Sequence, residues 1–512
     1  WADDPVSGVN RLGPWRARFL RASVAALDRA VSERGAALFT EVGRPSEVVP
    51  RLARELEADR VYAHAAVADE ELRDQVQVAR ALESAGAGLE VEHGATLLHL
   101  DDLPFSVGEL PDVFSTFRRA VERDFRVRDP EPTPARIESP PVDVRRADPD
   151  WEELGVDAAE PDERVVLRMR GGEDEGLARL GSYVFEAGAL RHYKETRNGL
   201  LEANDSSKLS PWLALGCLSP RRVHQVVQQY EAERVRNEST YWLIFELLWR
   251  DYFQFLSLRE GPRLFKLSGV GRRARSWSQD REAFRAWTDG QTGYPLVDAC
   301  MRELASTGFM SNRGRQNAAS FLAKDLGVDW RWGAAWFERC LIDYDPASNW
   351  GNWQYVAGVG TDPRDRRFNV VKQARDYDPD GAFIKKWVPE LDELSPPAVH
   401  EPAEAGRGGY PAALPTRAAP SPRSQGARGR ARRARPGVRE RPEEERADRA
   451  EAAGPAGAET RLRNFVAPDP ALSRPHVGLG QERARRRADA LQLRTSNRFL
   501  SRRLLQHGPR GS

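Results

Sequence analysis

Between about Leu12 and Leu98 the apolar positions follow two spacings in turn. Residues 16–34, 46–56 and 69–85 repeat apolar side chains every three to four positions, the period of a helix with one buried face. Pro45 stands just ahead of the second, where proline suits a first turn. Short apolar runs at 37–42, 60–63 and 89–91 fit strands. Strands alternating with helices of this length predict a parallel, doubly wound α/β sheet over residues 1–125. No G-x-G-x-x-G follows any of these strands, which excludes the usual dinucleotide site. The chain enters on loop-like residues before a helix, so the first strand is expected to be missing and the sheet partial.

Residues 126–176 break this rhythm. Pro130, Pro132, Pro134, Pro140, Pro141, Pro149 and Pro161 mark a long connection across the surface. Over 177–400 the helical period dominates and most segments carry aromatics, which predicts an all-α second domain. In 401–512 aromatics nearly vanish and Arg, Ala, Gly, Pro and Glu take over. Such a tail buries too little apolar area to offset its chain entropy and is expected to be disordered.

Composition sharpens this division. The whole chain of 512 residues has a formal charge of +1. Residues 401–512 hold 24 Arg, no Lys and 12 acids, a net of +12, which leaves 54 basic and 65 acidic residues, a net of −11, in residues 1–400. All 14 Trp fall in those first 400 residues. No run approaches the ~20 apolar residues of a membrane helix. Cys217, Cys300 and Cys340 form no CxxC pair, which argues for core thiols in a reducing compartment and against a disulfide scaffold or a zinc ribbon.

Four polar clusters interrupt the apolar helices. Asp205-Ser206-Ser207-Lys208-Leu209-Ser210 precedes a helix beginning near Pro211. It is either an ordinary Ser cap or an anion cradle of hydroxyls, free N–H groups and a cation. Glu246 and Arg250 share a helix face among Trp242, Phe245, Trp249 and Phe253. They either pair with each other or face a polar cavity. The third cluster is Asn312-Arg313-Gly314-Arg315-Gln316, and the fourth runs from Asp343 to Tyr355. Arg315 needs a carboxylate and Asp343 a cation, so the two are expected to pair. Two Asp, two Asn and several aromatics in the fourth suit the wall of a pocket for a planar heteroaromatic ligand.

Trp287-Thr-Asp-Gly-Gln-Thr-Gly-Tyr294-Pro-Leu-Val-Asp298, Gly308-Phe-Met-Ser-Asn312-Arg-Gly-Arg315, Asp329-Trp330-Arg331 and the stretch 343–355 resemble the photolyase and cryptochrome family, most of all its DASH-type members. The resemblance extends from about Leu12 to Leu391. It implies a non-covalent FAD in the helical domain, with Tyr193, Ser206, Ser207, Lys208, Leu209 and Ser210 at its phosphates and ribityl chain. Asp343, Tyr344 and Asp345 would line the flavin edge, with Arg315 paired to Asp343 and the Asn349 amide near N5. Trp287, Trp330 and Trp353 would form an electron-transfer triad from the surface to the flavin. Arg197, Glu246, Trp249, Arg250, Asn312 and Arg313 would meet a flipped pyrimidine dimer and its phosphates.

Gln316 and Tyr355 depart from the Met and Trp usual in enzymes that repair duplex DNA. They make single-stranded DNA the expected partner of a monomeric protein, with RNA or duplex DNA bound more weakly. Glu71 aligns with the carboxylate that holds the antenna pigment 5,10-methenyltetrahydrofolate, and equally suits a solvated helix start. The resemblance thus implies light-driven repair of cyclobutane pyrimidine dimers, or blue-light signalling through the same flavin.

Overall fold

The computed structural model describes residues 3–139, 151, 162–362, 364–402 and 409–417. The chain divides into a unit of residues 1–419 and a second of 420–512, and the second lies outside the described residues. Most of the tail expected to be disordered therefore falls outside them too, as does the middle of the 126–176 connection.

The first part is α/β, and its sheet is small. Helices Pro14–Glu33, Pro45–Glu55 and Asp69–Ser84 form where the helical period predicts them. Strands Arg60–His64 and Gly88–Glu92 pair in parallel, Arg60 opposite Gly88 and His64 opposite Glu92. The strand expected at 37–42 is not formed. That segment has no neighbouring strand among the described residues to receive its N–H and C=O groups, and it runs as irregular chain. The core of the sheet is correspondingly slight, built on Ala53, Val78, Leu82 and Ala87.

The second part is all-helical, beginning with helix Glu173–Gly181. Its longest element, Glu238–Glu260, opens with a capping box: Thr240 N–H donates to Asn237 Oδ1 (3.0 Å), and Asn237 N–H to Thr240 Oγ1 (3.1 Å). Buried residues lie on nearly every side of this helix, so it runs through the core. One side joins the α/β part, where Phe114 and Phe117 pack on Tyr252 and Phe255. The other receives helix Pro346–Ala357 at Gly351, where a Cβ would stand 2.3 Å from the Phe253 ring. A separate cluster around Trp287, Phe321, Trp330 and Trp353 fills the far half of the domain. Each fully buried side chain of this size contributes roughly 1.5–3 kcal/mol.

Bonds from the long helix also cross the seam between the two parts. Asp251, fully buried, accepts from Leu97 N–H (3.0 Å) and Leu98 N–H (2.8 Å). Tyr252 OH donates to Asp112 O (2.6 Å) and Ser257 Oγ to Val67 O (2.8 Å).

The far boundary of the helical domain differs from the expected residue 400. Tyr410 is buried, donating to Asp298 Oδ2 at 2.5 Å, and Leu414 and Arg417 N–H groups donate to Thr292 O (2.9 Å) and Asp325 O (2.7 Å). One aromatic anchor and a set of backbone and Arg417 bonds tie 409–417 onto the domain despite its tail-like composition. Cys300 and Cys340 are buried thiols, Cys340 pushed up to about 12 by burial, and Cys217 is half-buried; all three are free. Among the described residues no helix is long and apolar enough to cross a membrane.

Candidate FAD and substrate cavity

One cleft of about 270 Å³ collects residues from the first, second and fourth polar clusters, with Asn312 and Arg315 from the third. Its floor is Asp343. Arg315 Nη2 donates to Asp343 Oδ2 at 2.8 Å, and Ser210 Oγ donates to the same oxygen at 2.5 Å. The Asp343 side chain is 1% exposed, and its Oδ1 is buried without a hydrogen-bond donor. Asp345 caps helix Pro346–Ala357, accepting from Ser348 N–H (2.7 Å), while its Oδ2 accepts from Gln254 Nε2 (2.7 Å). Ser311 caps helix Asn312–Ser320 in the same way. The two caps start these helices at the cleft, so their positive ends face it.

The end of the 199–210 loop, residues 206–210, also lines the cleft and joins its floor through Ser210. Gly199 lets the loop fold tightly, since a Cβ there would stand 2.3 Å from the Asp205 carboxylate. Lys208 takes a left-handed φ of 51°, and its Nζ donates to Glu202 O at 2.8 Å. Burial lowers its ammonium to about 8, and burial raises the Glu303 carboxyl to about 8 against the opposing charge of Lys208. Behind the loop stands Arg179, which carried no sequence signal because it reads as one more arginine on an amphipathic helix.

The mouth of the cleft holds Glu246. Its Oε1 accepts from Arg197 Nη1 (2.9 Å) and Trp242 Nε1 (3.2 Å), and burial raises its carboxyl above the ordinary range. Arg250 lines the same cleft, as expected of a charge facing a polar cavity, but its guanidinium donates to two carbonyls, Ala95 O (2.5 Å) and Leu213 O (3.2 Å), rather than to Glu246. Asn312 is exposed at the rim.

Other expected site residues lie outside the cleft lining. Tyr344 turns its ring beneath Arg16, 4.5 Å from the guanidinium, which also donates to Arg11 O (2.9 Å) and Glu338 O (3.1 Å). Asn349 is half-buried one turn beyond the Asp345 cap, its amide donating to Ala334 O at 3.0 Å. Trp249 stacks on Phe114 (3.6 Å) and meets Tyr355 edge-on (5.9 Å), forming an aromatic shelf. Arg313 lies over Tyr377 at 4.5 Å and donates to Asn198 Oδ1 (3.1 Å). Gln316 is half-buried one turn after Asn312. Glu71 is exposed at the seam, within electrostatic reach of Asp345 and Arg11.

The three indoles of the expected triad divide differently. Trp287 meets Trp353 edge-on at 6.1 Å, whereas Trp330 meets Trp350 at 5.7 Å. Gly333 makes room for Trp353, whose ring tip would lie 2.2 Å from a Cβ there. Trp287, Trp330 and Trp353 are 0%, 0% and 2% exposed, so none of them reaches solvent. Trp277, which stands outside the quoted motifs, is half-buried and its Nε1 has no partner among the described residues; its neighbour Ser278 bridges Val328, two residues before Trp330.

These residues fit FAD. The donor-less Asp343 Oδ1 suits an N–H edge of the flavin ring, and the 206–210 stretch suits phosphate oxygens. Residues 242–416 match the family described as the FAD binding domain of DNA photolyase, and residues 1–137 match DNA photolyase. The cryptochrome DASH of Gloeobacter violaceus is 52% identical, covering 77% of this chain and 79% of the relative. That of Arabidopsis thaliana, named as chloroplastic/mitochondrial, is 47% identical over 77% of this chain and 69% of its own length. The crystal structure of the Synechocystis sp. PCC6803 cryptochrome superposes with a TM-score of 0.78 at 44% identity, covering 84% of this chain and 90% of that one. The chain belongs to the photolyase and cryptochrome family, in its cryptochrome DASH branch, and FAD is its cofactor.

Proposed function

We propose that this protein repairs cyclobutane pyrimidine dimers in single-stranded DNA under blue light. The observation that carries this reading is Glu246, a carboxylate held by Arg197 and Trp242 in the same cleft as the Asp343 floor. FAD held by Asp343, Arg315 and residues 206–210 would, in its reduced and photoexcited form, supply one-electron chemistry in which the electron lent to the dimer is returned, with no net redox change.

The chain's residues do the positioning. Arg315 and Ser210 hold Asp343 so that Oδ1 can accept from the flavin edge, and 206–210 receive the phosphates. Glu246 accepts from the edge of the extruded base, and the Trp249–Tyr355 shelf offers an apolar surface for stacking. Arg197 stabilises the Glu246 charge and lies within reach of the DNA backbone. Single strands are favoured because an unpaired dimer has lost less stacking, and the smaller Tyr355 ring offers less to offset extrusion from a duplex. Trp353, Trp330 and the half-buried Trp277 serve as a path by which electrons reach the cofactor from solvent, with Trp287 packing against Trp353.

The test is dimer loss from ultraviolet-irradiated oligo(dT), followed by reversed-phase chromatography under light with reductant. Light-dependent recovery of thymine, faster on single strands than on the annealed duplex, is expected. Protein loaded with reduced FAD that leaves the dimers intact would favour the photoreceptor reading and sink this one.

A further inference from the structure

Helix Glu173–Gly181 presents one guanidinium to the back of the 199–210 loop. Arg179 Nε donates to Ser207 O at 2.9 Å, and Nη1 to Asn204 Oδ1 at 2.9 Å. Its Nη2 donates to both Ala203 O (2.9 Å) and Ser206 O (3.0 Å). The residue is 7% exposed. Every one of these acceptors is neutral. The loop carboxylate Asp205 accepts from Glu202 N–H at 2.8 Å, and among the described residues no acid is bonded to the buried cation. A buried charge without a counter-ion is costly unless a ligand supplies one.

The backbone follows from those bonds. A trans peptide points its C=O and the next N–H in opposite directions. With the carbonyls of Ser206 and Ser207 drawn back to Arg179, the N–H groups of Ser207 and Lys208 point away from it. Among the described residues neither of those two amides donates to a protein acceptor. Ser206, Ser207 and Lys208 all line the cleft. Thr196 Oγ1, donating to Asp205 O at 2.8 Å, and Lys208 Nζ, donating to Glu202 O, hold the rest of the loop from the same side.

We propose that Arg179 is the positioning residue of the phosphate cradle: it pulls the loop carbonyls backward, aims two free N–H groups at the FAD pyrophosphate, and lends that anion its uncancelled charge. This rests on the seating of the phosphates at 206–210.

The test measures binding to the apoprotein by calorimetry, using ADP as the phosphate-bearing half of the cofactor and riboflavin as the half without phosphate. Losing a hydrogen-bonded charge of this kind corresponds to a roughly 10- to 100-fold rise in Kd. Arg179→Met is expected to weaken ADP by that factor and riboflavin by less than about threefold. Arg179→Lys, which keeps the charge but reaches fewer carbonyls, recovers part of the ADP affinity. If Arg179→Met does not fold, the Lys variant carries the same comparison, and its failure to fold as well assigns Arg179 to structure alone. Equal losses for ADP and riboflavin, or an unchanged ADP Kd, overturn the proposal. Ser207→Asp separates the two readings. Its loss of ADP binding while Arg179→Met retains it sinks the role of Arg179, whereas unaltered ADP binding in Ser207→Asp sinks the phosphate seating.

Discussion

Replacing Asp343 by Asn separates the two jobs of the cavity floor. One oxygen of the carboxylate accepts from Arg315 and Ser210, and the other faces the cleft without a donor. An amide has one acceptor oxygen. If it serves Arg315 and Ser210, the NH2 group faces the flavin edge and opposes its N–H; if it serves the flavin, NH2 opposes two protein donors. Removing one partner of a fully buried ion pair costs about 3–5 kcal/mol. Arg315 is 25% exposed and keeps a bond to Met310 O (2.9 Å) and the Phe309 ring, so the apoprotein should lose about 2 kcal/mol. Loss of a charged acceptor to the cofactor adds about 1.5–3 kcal/mol, or roughly a 10- to 100-fold rise in the Kd for FAD. Urea denaturation of the apoprotein reads the first quantity, and a titration of flavin fluorescence reads the second. Asp298→Asn is the control: that buried carboxylate is bonded by Thr292, Gly293 and Tyr410 at the far side of the domain, so it should lower stability and leave FAD binding alone. An Asp343→Asn protein that loses stability but binds FAD within twofold of the parent would refute the placement of the flavin edge over Oδ1.

Glu246→Gln is expected to lower dimer repair about 10-fold or more, with the FAD content of the purified protein unchanged, because a neutral amide is the weaker acceptor toward the base; equal repair rates would remove Glu246 from the substrate site. Trp353→Phe and Trp277→Phe should both slow light-driven reduction of FAD in an absorbance assay, and Trp287→Phe, which alters packing alone, should slow it far less. Burial raises the Asp251 carboxyl to about 7 from an ordinary 3.8. Its protonated form therefore stabilises the fold fully below about 4, and that contribution is lost as the pH rises to about 7. Urea midpoints measured from pH 5 to 8 should accordingly show a shallower decline with pH in Asp251→Asn than in the parent.

Much of the cleft could be read from residue types alone. Asp343 and Arg315 stand in polar clusters that interrupt apolar helices, with opposite charges, and each names the other as its partner. Glu246 was legible as a charge that needed satisfaction, but not the identity of the group that satisfies it. Helical spacing pointed to Arg250, and the fold supplies Arg197 from another element, leaving Arg250 to two carbonyls. Motif position located Trp287 along the chain without its depth, and depth decides whether an indole can meet solvent. The strand at 37–42 failed for a related reason: strand character is a local property, whereas a ladder requires a neighbour. Tyr410 shows the converse, since a single aromatic in a polar stretch was enough to dock residues that composition assigned to a tail.

Helix Glu238–Glu260 carries Glu246 and Trp249 on the stretch that meets the cleft and the aromatic shelf, and within two further turns it bonds the α/β part through Asp251, Tyr252 and Ser257. The helical domain is completed by the α/β half. That half supplies the N–H and carbonyl groups that keep a carboxyl, a phenol and a hydroxyl satisfied inside the helical core. Cutting the chain between the two would strand Asp251 and Tyr252 one to two turns from Glu246, and Ser257 about three. Strain at the seam, from a substitution there or a temperature change, therefore has a direct mechanical route along one helix to the cleft residue Glu246.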